Sequence, residues 1–237
     1  MSVFQFKEFA VDQRDCPMKI NTDGVLLGAL ADVDQRVKVL DIGTGTGVVA
    51  LMLAQRNHQS DIDAIDIDLT AFERAGANFE GSLFHNRLKV YHHSFVDFFA
   101  LNPMNNYDLI VSNPPFFLNS LRSDKAQKNI ARHTDIHFFV DMLRLCSLHL
   151  SVNGALELIV PMDLSEVIIN LGADYGLQTT QAIRIKSFEN KEPFRNILKL
   201  EKNTDKALEE KDFVIYEREK EHSLQYRTAL KDFFTIF

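Results

Sequence analysis

Two short motifs hold residues whose types and order could do chemistry. The first is Asn113-Pro114-Pro115-Phe116, at the end of the apolar run YDLIVSN. Consecutive prolines fix φ twice and remove two N–H donors, so the local carbonyls can face a cavity with no competing donor. Asn113 adds a side-chain acceptor. Two acceptors without a donor suit an amino group with two hydrogens, and holding both turns the nitrogen lone pair toward an electrophile such as a methyl sulfonium. Such a site works by orientation and charge stabilisation, with no general base before attack. Phe116 can stack on a flat ring carrying the amine. Taken alone, Asn-Pro is also ordinary turn chemistry that ends a strand.

The second motif is Asp41-Ile42-Gly43-Thr44-Gly45-Thr46-Gly47, running out of the apolar segment VKVLD. Glycines let backbone N–H groups approach a nucleotide-type ligand at the start of a helix. The spacing departs from the dinucleotide fingerprint, because Val48 stands where the third glycine of G-x-G-x-x-G belongs. A carboxylate two residues before the first glycine suits an ammonium group better than a pyrophosphate. A second acid, Asp66, ends the next apolar run, where a doubly wound sheet presents a carboxylate to ribose hydroxyls; Asp68 is the neighbouring candidate. Ribose and ammonium without phosphate describe S-adenosylmethionine.

These motifs need a scaffold that brings strand ends together. VKVLD, IDAID, RLKVYHH, YDLIVSN and GALELIV read as strands, and VVALMLAQRN, LTAFERAGANFEG and HFFVDMLRLCSLHLS as helices between them. The alternation predicts an α/β fold with a doubly wound, mostly parallel sheet covered by helices on both faces. Beyond Pro161, MDLSEVIINLGADYG reads as a helix capped by Gly172 or Gly176. TTQAIRIKSF and RNILKLEK read as a hairpin closing the sheet edge, EKNTDKALEEKD as an exposed connection and DFVIYE as a last strand. SLQYRTALKDFFTIF reads as an amphipathic closing helix docked by Phe233, Phe234 and Phe237. Gly24 to Leu30 reads as a short helix, which Asn21-Thr22-Asp23 would cap, while Lys19, Thr22 and Asp23 could equally close over the cofactor pocket.

Composition narrows the class. The chain has 237 residues, 46% of them apolar, enough for a sizeable core. No apolar run approaches the ~20 residues of a membrane span, and MSVFQFKEFAVDQRD lacks a signal peptide's h-region and cleavage site. Cys16 and Cys146 form neither a disulfide framework nor a zinc motif, so a cytoplasmic location without metal is expected. His92-His93 has no clustered ligands nearby and reads as a surface loop. With 26 Lys+Arg against 33 Asp+Glu the net charge is −7, which argues against a generic nucleic-acid binder but leaves room for a local basic surface. Arg122, Lys125, Lys128 and Arg132 supply one directly after the proline turn. Arg184, Lys186, Lys191 and Arg195 form a second run, diluted by Glu189 and Glu192. Either could contact phosphates or be a solvated face.

The DIGTGTG turn, Asp66 and Asn113-Pro-Pro-Phe116 together resemble the Rossmann-type S-adenosylmethionine-dependent amino-methyltransferases, over roughly residues 20 to 160. That resemblance implies a seven-stranded sheet of the class I methyltransferase type, with residues 1–34 packing on the cofactor pocket and residues 35–237 as the catalytic domain. It implies catalytic roles for Asn113, Pro114, Pro115 and Phe116, and cofactor contacts from Asp41, Gly43, Gly45, Gly47, Asp66, Ser94, Phe95 and Asn113. Ser94 replaces the acid that usually holds the cofactor's adenine amine, and Phe116 stands where tyrosine is common. Phe4 to Phe9, Met18 to Ala29, Arg132-His133 and Tyr226 to Phe237 extend the likeness to bacterial enzymes that methylate adenine N6 next to the anticodon of tRNA(Val). A tRNA partner and RNA contacts from Lys19, Arg122, Lys125, Lys128 and Arg132 follow from that likeness. The same chemistry on rRNA guanine N2, DNA adenine or protein glutamine stays open, as does a remote NAD-linked oxidoreductase.

Overall fold

The computed structural model describes residues 3–115 and 125–237, with the backbone alone for residues 125–135. The first strand of the predicted alternation is β3 (Lys38–Ile42), after a small antiparallel ribbon of β1 (Val3–Gln5) and β2 (Ala10–Asp12) and the helix α1 (Thr22–Leu30). Then follow α2 (Val48–Arg56), β4 (Asp61–Asp66), α3 (Leu69–Glu80), β5 (Leu88–His92), α4 (Phe95–Leu101), β6 (Tyr107–Ser112), α5 (Lys125–His149), β7 (Leu150–Pro161) and α6 (Met162–Asp174). The chain finishes with β8 (Leu177–Lys186), β9 (Arg195–Lys202), β10 (Glu209–Val214), the short pair β11 (Tyr216–Arg218) and β12 (Glu221–His222), and α7 (Leu224–Leu230).

The main sheet runs β10-β8-β9-β7-β6-β3-β4-β5, with every pairing parallel except those of β9 to its two neighbours. It has eight strands rather than the expected seven, because β10 adds in parallel beside β8. The β8–β9 hairpin therefore does not close the edge: β9 is inserted between β7 and β8. The charged connection is shorter than expected for the same reason, since Glu209 to Asp212 join the edge strand, where one exposed side tolerates charge.

Alternation along buried strands sorts side chains to two faces. Val39 belongs to a core with α1, α2, the N-terminal ribbon and α7, while Leu40 and Ile42 belong to a second core with α4, α5 and α6. Eight consecutive residues of α2, Val48 to Gln55, are buried, as expected for a helix sandwiched between the sheet and α1. Gly28 permits that approach, since a Cβ there would lie 2.8 Å from the Met52 sulfur. The closing helix ends at Leu230, and Phe234 pairs instead with Phe6 of the N-terminal ribbon. Gly172 lies inside α6, whose end falls at Tyr175 and Gly176.

The topology sets the site. From β3 the chain moves outward through β4 and β5, then returns to β6 on the other side. Strand order reverses between β3 and β6, and their C-terminal ends carry the two motifs; such a switch point is where open α/β sheets bind ligands. Among the described residues, no helix is long and apolar enough to cross a membrane.

Candidate active site

The glycine turn is held by backbone bonds rather than side-chain bulk. Gly43 and Thr44 both donate N–H to the Ile65 carbonyl, at 2.9 and 3.0 Å, folding the turn over the end of β4. Gly43, Gly45 and Gly47 all have positive φ (72°, 56° and 81°), the left-handed region that strains residues with a Cβ. Their surroundings differ. A Cβ on Gly43 or Gly45 would meet nothing within 4 Å, whereas one on Gly47 would sit 2.5 Å from Phe79 Cε1. Gly43 and Gly45 thus face open space, while Gly47 starts α2 and packs against α3.

Asp41 lies beneath this turn, 1% exposed, and accepts the Thr44 hydroxyl at 2.7 Å. Burial pushes its carboxyl up to about 7, with the charge of Asp66 acting in the same direction and the Thr44 bond opposing it. A buried carboxylate so placed gains from a nearby cation. Asp66 accepts the N–H of Gly45 at 2.8 Å through Oδ2 and that of Asp68 at 2.9 Å through Oδ1. Asp68 in turn caps α3 by accepting from Ala71.

On the other side of the switch point, the buried Ser112 donates its hydroxyl to the Ile42 carbonyl at 2.7 Å. That bond ties the end of β6 to the end of β3, and so sets Asn113 and Pro114 against the glycine turn. Between them lies a cavity of about 400 Å³. Its lining includes Lys19, Asp41, Gly43, Gly45, Asp66, Ser94, Phe95, Asn113, Pro114 and Pro115 from among the sequence candidates. Gly47 is not among the lining residues. Phe116 and Arg122 lie outside the described residues. Lys125, Lys128 and Arg132 fall on α5, where their side chains also lie outside them.

Ser94 has a local duty. It caps α4, accepting the Asp97 N–H and donating its hydroxyl to Asp97 Oδ2 at 2.6 Å. Phe95, next to it, packs edge-on against Phe138 of α5 at 5.4 Å, and both rings line the cavity. Phe138 also packs, partly buried, against the second core, where its neighbour Phe139 is fully buried. His93 also lines the cavity, contrary to the surface-loop reading, because its N–H bonds the Asp66 carbonyl and draws it inward. Cys16, Met18, Ile20 and Asn21 complete the wall from the N-terminal segment. Asn21 is the α1 cap, accepting from Gly24 at 2.9 Å. The helix cap follows the Asn-Thr-Asp-Gly signal, and of Lys19, Thr22 and Asp23, expected over the cofactor pocket, Lys19 lines this cavity.

The second basic run is largely neutralised within the chain. Arg184 and Lys186 both pair with Asp212, at 2.7 and 2.6 Å, and Arg195 pairs with Asp23 at 2.8 Å. Phosphate contact was one of two readings of that run, and these partners favour the other. Among the described residues, no three His, Cys, Asp or Glu side chains converge to hold a metal ion.

The residues fit S-adenosylmethionine as a methyl donor. Gly43 and Gly45 leave a cradle that a Cβ would enter, Asp41 offers a buried carboxylate for an ammonium group, and Asp66 offers a second carboxylate on the cavity wall that could accept ribose hydroxyls. Apolar walls from Ile65, Ile67, Ala71 and Phe95 suit an adenine ring.

Comparison with known proteins agrees with this chemistry. Residues 21–166 match the family model of the methyltransferase small domain. A Pedobacter heparinus protein named tRNA1(Val) (adenine(37)-N6)-methyltransferase is 42% identical over 236 residues, covering 100% of this chain and 99% of its own. A Flavobacterium psychrophilum protein of the same name is 37% identical, covering 98% and 99%. Among solved structures, a predicted O-methyltransferase from Agrobacterium tumefaciens superposes with a TM-score of 0.70 at 16% identity, covering 89% of this chain and 95% of that one. That likeness concerns the fold.

Proposed function

We propose that this chain, which belongs to the tRNA1(Val) (adenine(37)-N6)-methyltransferase family, transfers a methyl group from S-adenosylmethionine to N6 of the adenosine at position 37 of a tRNA. The observation that carries the reading is the Asn113-Pro114-Pro115 turn, held by the Ser112–Ile42 bond on the rim of a cavity that the glycine turn floors. Near-complete coverage of relatives bearing that name supports the choice of acceptor.

Asp41, Gly43, Gly45 and Asp66 hold the donor, with Phe95 and Phe138 against its rings. When bound, S-adenosylmethionine supplies an electrophilic methyl group on sulfur. Asn113 Oδ1 and the Pro114 carbonyl accept the two N6 hydrogens of the target adenine and aim the nitrogen lone pair at that methyl. Pro114 and Pro115 bring no N–H to compete. The proton leaves only after nitrogen has become cationic, so the residues need not supply a strong base. Residues 1–34 close the donor pocket through Cys16 to Asn21, and residues 35–237 form the catalytic domain. Lys19, Arg122, Lys125, Lys128 and Arg132 contact RNA phosphates around the target, and Phe116 stacks on the base. An anticodon-loop base is single-stranded, so splaying it into the site costs less than extrusion from a duplex. An enzyme of this kind works in the cytoplasm with its tRNA.

The experiment is incubation with methyl-labelled S-adenosylmethionine and bulk tRNA from a strain lacking the gene, followed by nucleoside identification. Label is expected in N6-methyladenosine at position 37. Label in another nucleoside, or none in tRNA despite donor binding, overturns the acceptor. Replacing Lys125, Lys128 and Arg132 by glutamate should weaken tRNA binding and flatten its salt dependence while leaving donor affinity unchanged.

A further inference from the structure

A second cavity, of about 560 Å³, adjoins the first across Asn113 and Pro114. Met18 and Asn21 also line both cavities, and the second is completed by Pro161 and Met162 at the β7–α6 junction and by Asp23, Asp163, Phe194 and Arg195. Its placement follows from the antiparallel insertion of β9. In the β7–β9 register Arg195 pairs with Pro161, so the start of β9 lands beside the C-terminal ends of β6 and β7. Phe194 is thereby carried to the rim that holds the proline turn.

Three contacts fix the Phe194–Arg195 step. The Phe194 N–H donates to the Ile185 carbonyl at 2.9 Å. Arg195 donates Nε to Asp23 at 2.8 Å, tying the hairpin to α1. It also donates Nη1 to the Phe194 carbonyl at 3.1 Å, and its guanidinium carbon lies 5.6 Å from the Phe194 ring centre. The backbone is anchored on both sides, yet Phe194 remains 36% exposed and lines the cavity. A large aromatic side chain on a fixed backbone, beside two amine acceptors, offers a flat face to a flat ligand at little entropic cost.

We infer that Phe194 is a base-stacking residue for the acceptor, packing on the adenine whose N6 meets Asn113 and Pro114. The inference rests on the acceptor reading above, and adds a residue that neither motif contains. Asp23 acts through Arg195 as a positioning residue, holding the hairpin over the cavity.

The test is a binding cycle between Phe194 and the base. Wild type, Phe194→Ala, Phe194→Leu and Phe194→Tyr are each titrated with an anticodon stem–loop of tRNA(Val) carrying either adenosine or an abasic site at position 37. The wild type should prefer the adenosine form about tenfold, a typical effect of one base–aromatic stack. Phe194→Ala and Phe194→Leu should lose most of that preference, and Phe194→Tyr should keep it, with donor affinity and melting temperature near wild type in all three. The rescue by tyrosine but not leucine separates stacking from bulk. If the wild type discriminates and Phe194→Ala discriminates equally, the role of Phe194 is overturned while the acceptor reading stands. If the wild type binds both forms alike, the adenine acceptor itself fails, and the inference with it.

Discussion

Asp66 Oδ2 accepts the backbone N–H of Gly45 at 2.8 Å, so the acid proposed to hold the ribose also fastens the glycine turn to the end of β4. Its other oxygen takes the N–H of Asp68, which caps α3. Two strands, a turn and a helix start therefore meet at one half-buried carboxylate. Charge-assisted bonds to backbone donors contribute about 1.5–3 kcal/mol each. Asp66→Ala should weaken donor binding and also lower thermal stability without ligand, and Asp66→Asn should recover part of both. Loss of affinity with an unchanged melting temperature would show that the turn stands without this bond.

The three glycines of the turn should separate by what a methyl group meets. All three have positive φ, so each alanine substitution carries strain on the order of 1 kcal/mol. At Gly47 the added Cβ also meets Phe79 at 2.5 Å, a collision inside the core. At Gly45 it enters the open cavity. Gly47→Ala should cost about 2–4 kcal/mol of stability in denaturant unfolding. Gly45→Ala should cost less stability and more donor affinity. Equal stability losses would mean that Phe79 yields freely.

Much of this was legible beforehand, and the illegible part has physical causes. Strand–helix alternation and the two motifs predict the switch point, because the buried strands of a parallel sheet are apolar on both faces and end where chemistry begins. The position of β9 was hidden, since two adjacent strands joined by a short loop look alike whether the hairpin lies at an edge or is inserted with its second strand toward the sheet centre. That insertion moved Phe194 and Arg195 to the active-site rim, where a basic run had suggested only phosphate or solvent. Ser94 lines the cavity as its position suggested, and its hydroxyl is bound to Asp97. His93 was misplaced because a loop bordering a ligand cavity and a loop on the open surface carry the same residue types.

Asp41 makes donor binding depend on pH. Burial raises its carboxyl from an ordinary 3.8 to about 7. A raised folded pKa means that the folded chain holds a proton the unfolded chain has released. Its contribution to stability is thus fully present below about 4, and is lost as pH rises to about 7. Donor binding runs the other way, because an ammonium group favours the ionised carboxylate. Affinity for S-adenosylmethionine should fall by up to about tenfold per unit as pH drops below 7, with proton release on binding. Calorimetric titration between pH 5.5 and 7 in buffers of different ionisation enthalpy would measure both. Asp41→Asn should bind more weakly, with a flat profile over that range. A wild-type affinity that is equally flat would remove Asp41 from the ammonium site.

Asn113 should separate turnover from binding more cleanly than any other residue on the rim. It lies between the two cavities, half-buried, and its backbone is positioned by the Ser112–Ile42 bond rather than by its own side chain. Truncation therefore removes one acceptor for the N6 hydrogens and leaves the donor pocket in place. Asn113→Ala should lower kcat by about 10²-fold, roughly 2.7 kcal/mol of lost transition-state stabilisation, with donor affinity within a factor of two or so. Asn113→Asp keeps an acceptor oxygen in the same place and should retain more turnover than alanine. Single-turnover methylation of tRNA with excess enzyme isolates the chemical step from product release. Equal losses in the two variants would mean that accepting the N6 hydrogen is not what Asn113 contributes, and a matching loss of donor affinity would assign the residue to the cofactor instead.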